Sequence, residues 1–228
     1  GLKIEKNGFG ALPIQRASFD ETKEIVQKAY ANGINFYDTA RAYTDSETKL
    51  GIAFEGMRDR LIILTFYSTG IRRAELIGLN VEDVALSAGE IKVTGKRNKQ
   101  RIVPFGEELK HELTAYLAAR TALMRLPNAE KNAMNRAFFV TKSGGRVTET
   151  DVHKIVTGYL SLVTQQKHRS PHILRHTFAT RCIESGSDYK TVSVLMGHSC
   201  VGITMNLYVH PNQEQKQRCI DKMLRKLG

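Results

Sequence analysis

The chain has 228 residues, of which 41% are hydrophobic and 25% are charged, and its formal net charge is +11. These values are typical of a globular protein long enough to bury a core, and no apolar run approaches the roughly 18 to 20 residues that cross a bilayer. No secretory signal opens the sequence, and its three cysteines are an odd number without metal-ligand spacing, so we expect reduced thiols, a cytoplasmic location and no metal site.

The positive charge is distributed unevenly along the chain. Residues 1–57 hold seven of the 34 basic and eight of the 23 acidic residues, which leaves 27 basic and 15 acidic residues for 58–228. All of the excess therefore lies in the second segment. A polyanion partner is the simplest explanation, and a basic enzyme without such a partner is the alternative.

Residues 1–57 show a strand, helix, strand, helix pattern. We predict a strand at 9–14, a helix capped by Ser18 or Asp20 and closed by Gly33, a strand at 34–37 and a helix at 46–57. A β-α-β-α order is the beginning of an α/β barrel or sandwich.

This first segment resembles the start of an aldo-keto reductase through the run at 33–40, followed by Tyr43. In that family the residues matching Asp38 and Tyr43 belong to a catalytic tetrad that also needs a lysine after the next strand. If 61–65 were that strand, Phe66 would stand where the lysine belongs. The rest of the barrel, which needs roughly 200 residues, does not follow either. We therefore expect an incomplete fragment without reductase activity.

The second segment is predicted to be mainly α with a small antiparallel β-sheet, an α+β domain. A hairpin, Glu90–Thr94 and Arg101–Phe105, surrounds a basic tip at 95–99. Phe138–Val140 is a further candidate strand, and 142–146 a turn. The predicted helices are Leu61–Ser68 ended by Thr69-Gly70, one opening at Arg72, Glu107–Leu126, Thr150–Gln166, Pro171–Ser185, Asp188–Met196 and a last one after Pro211, with Gly186 and Gly197 as C-cap glycines.

Three short segments and the basic hairpin carry the chemistry. The segments are Thr69 to Leu76 (TGIRRAEL), Pro171 to Thr180 (PHILRHTFAT) and Leu195 to Ser199 (LMGHS), the last followed by Thr204 and Tyr208. In this order they resemble the tyrosine recombinase (phage integrase) family, and the resemblance covers about residues 58–228. It implies a metal-independent enzyme without cofactors that cleaves and rejoins DNA through a 3′-phosphotyrosyl link.

The resemblance also implies a role for each matching residue. Tyr208 would be the nucleophile, and Arg72 and Arg175 would clamp the non-bridging phosphate oxygens. Lys96 would be the general acid for the leaving oxygen, with Lys99 on the same hairpin as the alternative. His172 would assist deprotonation of the tyrosine, and His198 would be a further donor to the phosphate.

Elementary chemistry requires such groups. Phosphodiester cleavage without a metal needs an activated nucleophile, positive charge for the crowded transition state and a proton for the leaving oxygen. Guanidinium groups stay charged and donate two parallel hydrogen bonds. His172 and Arg175 are three residues apart, so on a helix they share a face.

Three further basic residues, Arg97, Lys99 and Arg101, are predicted to contact the DNA backbone, and Arg73 is predicted to be either such a contact or a structural residue. Such contacts are independent of base sequence and sensitive to salt. Glu75 is predicted to hold the helix that begins at Arg72. The resemblance implies double-stranded DNA as partner and a homo-tetramer on paired DNA sites.

The first segment does not resemble the N-terminal DNA-clamping domain of this family. Both families carry an Arg-Asp pair, here Arg58-Asp59, so the division into 1–57 and 58–228 is placed to within a few residues. No linker separates the two, which suggests a chimera from a gene fusion or an assembly artefact. We expect weak DNA binding and impaired recombination; the alternative functions are a DNA-binding module without catalysis and a reductase remnant.

Overall fold

The structure is a computed structural model that describes residues 9–10, 18, 21, 24–25, 28, 37–38, 46–126, 129, 132, 134–163, 165, 169–208 and 217. Its strands are β1 (Phe9–Gly10), β2 (Tyr37–Asp38), β3 (Val84–Ala85), β4 (Glu90–Thr94) and β5 (Gln100–Pro104). Its helices are α1 (Ser46–Thr69), α2 (Arg73–Gly78), α3 (Glu107–Leu123), α4 (Glu149–Val163), α5 (Pro171–Glu184), α6 (Tyr189–Met196) and α7 (Val201–Tyr208). The predicted fold class, mainly α with a small antiparallel sheet, is confirmed.

The N-terminal part has two short paired strands. Strand β1 pairs in parallel with β2, with Phe9 opposite Tyr37. The amide of Ser18 donates to the Glu21 carboxylate at 2.7 Å, and the amide of Glu21 donates back to the Ser18 hydroxyl at 3.3 Å. This reciprocal pair is a helix-capping box, and it favours Ser18 among the two predicted caps.

Helix α1 crosses the predicted division at residue 58. The two helices predicted on either side of that position are one 24-residue helix, so that expectation was wrong, and 61–65 is helical rather than a strand. Phe54 is buried and stacks on Tyr116 of α3 with ring centroids 5.3 Å apart. Arg58 is buried too, and its guanidinium is paired with the Asp59 carboxylate at 2.6 Å. Residues on both sides of the division therefore pack into one core.

The end of α1 fits the sequence prediction. Gly70 follows it in the left-handed region, with φ +60°, and a side chain there would collide with the ring of Phe178 on α5. Glycine has no Cβ, so it allows both the turn and the close approach of the two helices.

Strands β3, β4 and β5 form the antiparallel sheet, with Ile91 opposite Val103 and Thr94 opposite Gln100. The apolar side chains of Ile91, Val93 and Val103 face the core. Strand β5 begins one residue earlier than predicted, and β3 was not predicted.

The predicted strand at 138–140 is absent from the described sheet. Phe138 and Phe139 are both buried in the core, and the segment forms only an isolated bridge, between Val140 and Arg146. Its amides bond instead to dispersed partners: that of Phe138 donates to the carbonyl of Leu79, and that of Val140 to the Tyr116 hydroxyl.

The C-terminal part contains one helix that the secondary-structure pattern did not predict. Helix α7 begins at Val201, shortly after the turn that ends α6, whereas the sequence predicted a helix only after Pro211. Of that later stretch the structure describes only Gln217, which is helical. In the part of the chain that is described, no helix has the length and apolar character needed to cross a membrane.

Candidate active site

Arg72 stands at the N-terminus of α2 and is held from two sides. Its backbone is extended, and Glu75 accepts from its amide at 2.7 Å and from its Nη1 at 2.8 Å. The other terminal nitrogen, Nη2, donates to the carbonyl of Gly197 at 2.5 Å, across 125 positions of sequence. Glu75 thus holds the first turn of α2 as predicted, and it also orients the Arg72 side chain.

Arg175 lies on α5 and is buried, with 7% of its surface exposed. Its guanidinium donates to the carbonyl of Gly70, at the end of α1, and to the carbonyl of Met196 at 2.5 Å. It therefore joins the end of α1 to the end of α6.

A third arginine, Arg101 on β5, reaches the same place. Its Nε donates to the carbonyl of Leu195 at 2.8 Å, while its two terminal nitrogens donate to the two oxygens of Glu75 at 2.7 and 2.9 Å. The carbonyls of three consecutive residues, Leu195 to Gly197, each accept from a different arginine. Because the last carbonyls of a helix lack intrahelical partners and carry partial negative charge, guanidinium groups stabilise them.

The turn that follows α6 presents His198. Gly197 has φ +61°, the left-handed C-cap predicted from the sequence, and the amide of His198 donates back to the carbonyl of Ser193. The Nδ1 of His198 lies 2.8 Å from the hydroxyl of Thr204, which is completely buried on α7.

The surroundings of His198 keep its ring neutral. Burial lowers the pKa of His198 to about 4, and the positive charges of Arg175, Arg72 and Arg101 act in the same direction. The guanidinium groups at the start of α2, on β5 and on α5 thus surround the turn that carries His198. Such an arrangement attracts an anion, since an anion would relieve the repulsion among the guanidinium groups.

Glu75 is the counter-ion of this cluster. Burial alone would raise the pKa of Glu75, but the hydrogen bonds and charges of Arg101 and Arg72 outweigh it and lower the pKa to about 2. The carboxylate stays ionised at neutral pH and balances one of the three arginines.

The basic hairpin tip lies against this cluster. A Cβ added at Gly95 would stand 3.2 Å from Oε1 of Glu75 and 3.9 Å from Nη1 of Arg72, so the backbone passes close to both. The tip then turns through a short 3-10 segment, Lys96–Asn98, in which Arg97 and Asn98 have positive φ. Lys96, Arg97 and Lys99 are exposed to solvent.

The structure brings together only some of the side chains predicted from the sequence. Arg72, Arg175 and His198 meet at one turn, whereas Lys96 is exposed at the hairpin tip and His172 is exposed in the first turn of α5. Tyr208 is the last residue of α7, and the structure describes its backbone but not its side chain.

The predicted DNA contacts differ in their surroundings. Arg73 forms an ion pair with Glu149 at 2.6 Å, in which the side chains are 36% and 62% exposed. Arg101, in contrast, is turned inward with 14% of its side chain exposed. Within the described residues, no group of three His, Cys, Asp or Glu side chains is placed to share a metal ion.

Sequence reasoning missed two contacts in this site. The inward position of Arg101 was missed although strand alternation signals it, since Arg101 shares a face of β5 with buried Val103 and lies opposite buried Val93. The contact of Thr204 with His198 was also missed, although Thr204 stands in the same motif, and its position one helical turn before Tyr208 was the available signal.

Comparison with known proteins places the chain in a family. The model of the phage integrase family matches residues 39–215, and the chain belongs to this family. It is similar to tyrosine recombinase XerC of Chlorobaculum parvum, with 39% identity over 169 residues, which are 74% of this chain and 50% of that protein. Tyrosine recombinase XerD of Staphylococcus epidermidis is 37% identical over 160 residues, 70% of this chain and 52% of the relative. The chain spans about half the length of these curated relatives.

Solved structures support the fold. The crystal structure of XerA recombinase matches with a TM-score of 0.60 and 23% identity, covering 98% of this chain and 66% of that one. XerH site-specific recombinase in a pre-cleavage complex with its difH substrate matches with a TM-score of 0.60 and 20% identity, covering 96% and 55%. The family match begins at residue 39, before the predicted division at 58, and the aldo-keto reductase resemblance and the idea of a chimera gain no support from these comparisons.

Proposed function

We propose that this chain carries the catalytic part of a site-specific DNA recombinase that cleaves and rejoins DNA strands without a metal, through a 3′-phosphotyrosyl intermediate. The observation that carries this proposal is the convergence of Arg72, Arg175 and His198 on the turn after α6. Guanidinium groups from two helices, with a neutral imidazole between them, form a site for one phosphodiester group.

In the proposed reaction the Tyr208 hydroxyl oxygen attacks the phosphorus. A bond forms between the tyrosine oxygen and phosphorus, and the bond from phosphorus to the 5′ oxygen breaks. His172 assists removal of the tyrosine proton, and Lys96, or Lys99 as the alternative, gives a proton to the leaving 5′ oxygen. The reverse sequence of steps rejoins the strand, since the phosphotyrosyl link conserves the energy of the original ester.

The arginines stabilise the charge that develops in the transition state. Arg72 and Arg175 are already fixed by carbonyl and carboxylate partners before DNA is present. Fixed donors avoid a reorganisation cost during reaction, and removal of one such charged donor lowers the rate on the order of a hundredfold or more.

His198 contributes as a neutral donor. In this role the Thr204 hydroxyl, 2.8 Å from Nδ1, donates to that nitrogen, and the ring proton on Nε2 is then directed to a phosphate oxygen. The lowered pKa of His198 is compatible with this role, because the ring is uncharged at neutral pH before the anion enters.

Double-stranded DNA is the proposed partner. The exposed tip residues Lys96, Arg97 and Lys99 extend from the phosphate site as a positively charged arm. Arg73 lies on α2 next to Arg72 and would exchange its exposed partner Glu149 for a DNA phosphate. A homo-tetramer on paired sites stays a prediction, which sedimentation with and without paired DNA sites would measure.

The decisive experiment traps the covalent intermediate. A nicked duplex library with a randomised central segment releases a short fragment after cleavage and so prevents religation. Covalent protein–DNA complexes are then recovered under denaturing conditions and sequenced. The parent chain should form complexes and Tyr208→Phe should form none, because the aromatic ring remains while the nucleophilic oxygen is gone.

Two results would overturn this proposal. Complexes formed equally by Tyr208→Phe would assign the nucleophile to another residue. DNA binding by the parent without any covalent complex would instead favour a DNA-binding module without catalysis.

A further inference from the structure

Arg101 differs from the other basic residues of the hairpin. Arg97 and Lys99 are exposed at the tip, whereas the Arg101 side chain is 14% exposed and points towards α2 and α6. Its Nε and both terminal nitrogens donate to protein oxygens at 2.7 to 2.9 Å. All three guanidinium nitrogens of Arg101 are therefore engaged, whereas the bonds described for Arg72 use only its two terminal nitrogens, and the Arg72 side chain is 35% exposed.

We propose that Arg101 is a positioning residue, which fixes Arg72 and the His198 turn for reaction, rather than a contact to DNA. This inference rests on the proposed function, since it assigns a role within the same phosphate site.

The first step is the shared carboxylate of Glu75. Its Oε1 accepts from Nη1 of Arg72 at 2.8 Å and from Nη1 of Arg101 at 2.7 Å. Its Oε2 accepts from the amide of Arg72 at 2.7 Å and from Nη2 of Arg101 at 2.9 Å. Arg101 therefore fixes the carboxylate that in turn orients the Arg72 guanidinium.

The second step is the link to the turn that carries His198. Nε of Arg101 donates to the carbonyl of Leu195, and the guanidinium lies flat against Gly197. A Cβ added at Gly197 would stand 2.7 Å from Nη1 of Arg101, so only glycine leaves room for this packing. One side chain thus connects β5, α2 and the end of α6, three elements that the site requires in a fixed relation.

The third step explains why position 101 requires an arginine rather than a lysine. A planar guanidinium can donate along several directions at once, whereas a lysine ammonium at the end of a flexible stem is a single charged point. Lysine at position 101 would keep the positive charge of the hairpin but could not reproduce the fork towards Glu75 together with the bond to Leu195. The substitution Arg101→Lys therefore separates positioning from charge.

The experiment compares Arg101→Lys with two other variants. Arg97→Gln removes a charge from the exposed tip, and Arg136→Lys is a matched control at an exposed arginine, paired with Glu82 away from the site. Each protein is measured for the salt dependence of its affinity for duplex DNA and for the rate of covalent-complex formation at saturating DNA. NMR spectra of the DNA-free proteins record the Gly197 amide and the His198 ring.

Arg101→Lys should lower the rate of covalent-complex formation about a hundredfold, because small displacements of positioned groups cost that much. The salt slope should stay at the parental value, and the Gly197 and His198 resonances should shift. Arg97→Gln should instead reduce the slope by about 0.9, the value for one lost phosphate contact. Arg136→Lys should leave the rate of covalent-complex formation, the salt slope and the Gly197 and His198 resonances unchanged.

A second variant tests the same contact from its other side. Gly197→Ala displaces the Arg101 guanidinium but leaves the arginine in the chain, and it should reproduce the slower reaction with an unchanged salt slope. The inference is overturned if Arg101→Lys reacts at the parental rate, or leaves the Gly197 and His198 resonances in place. If the parent forms no covalent complex, the proposed function fails, while the NMR comparison still decides whether Arg101 positions the turn.

Discussion

Replacement of Glu75 by glutamine removes the one carboxylate that Arg72 and Arg101 share. The carboxylate is 2% exposed, and its pKa is about 2, against 4.5 for an ordinary glutamate. This difference corresponds to about 3 kcal/mol at 1.36 kcal/mol per unit. We expect Glu75→Gln to lower the free energy of unfolding by about that amount at neutral pH, because two guanidinium groups lose their counter-ion.

The lowered pKa of Glu75 also determines how its contribution to the free energy of unfolding depends on pH. A carboxyl group whose pKa is lower in the folded state stabilises the protein above its unfolded pKa, and this stabilisation is lost as the pH falls through the folded pKa. The difference between parent and Glu75→Gln should therefore be full above about pH 4.5 and should narrow as the pH approaches about 2. Urea unfolding, followed by circular dichroism at several pH values, measures the difference.

Glu149→Gln is the matched control. Glu149 also pairs with an arginine, Arg73, but the two side chains are 62% and 36% exposed, so the loss should stay below about 1 kcal/mol. Equal unfolding midpoints for the parent and Glu75→Gln at neutral pH would refute the assignment of Glu75 as the counter-ion of the cluster.

Two further predictions concern the His198 turn. Gly197→Ala should lower stability by at least the roughly 1 to 2 kcal/mol that a left-handed residue costs, since its methyl group also displaces Arg101. Gly89→Ala, at a similar φ of +68° with only an ordinary contact at 3.5 Å to the carbonyl of Phe105, should lose less in the same urea unfolding experiments, and equal losses would contradict the contact between Gly197 and Arg101. Saturating sulfate should raise the pKa of His198 above about 4, because the anion offsets the arginine charges; an unchanged NMR titration would argue against an anion site.

Local signals in the sequence sufficed for much of the fold and for the family to which the chain belongs. The cap at Arg72, the hairpin strands and the left-handed glycine at 197 depend on residues a few positions apart, so the sequence pattern indicates them directly. The motif residues Arg72, Arg175 and His198, chosen from the family resemblance, do meet in space.

Other features depended on segments far apart in the chain. Helix α1 continues across residue 58, where Phe54 packs on Tyr116 of α3. No local sequence pattern predicts that contact, because the two residues lie far apart in the chain. The segment at 138–140 has the composition of a strand, but its amides bond to the carbonyl of Leu79 and the hydroxyl of Tyr116 instead of to a neighbouring strand.

The sequence by itself determined the family resemblance, the candidate site residues and most of the helices and the hairpin on which they stand. Only the tertiary structure decided which oxygens Arg101 bonds and that the end of α6 is held by three arginines. Those bonds join positions about a hundred residues apart, as from Arg101 to Leu195 and from Arg175 to Gly70. Strand alternation places Arg101 on the face of Val103, but the oxygens that its guanidinium bonds are brought within reach only by the packing of distant elements.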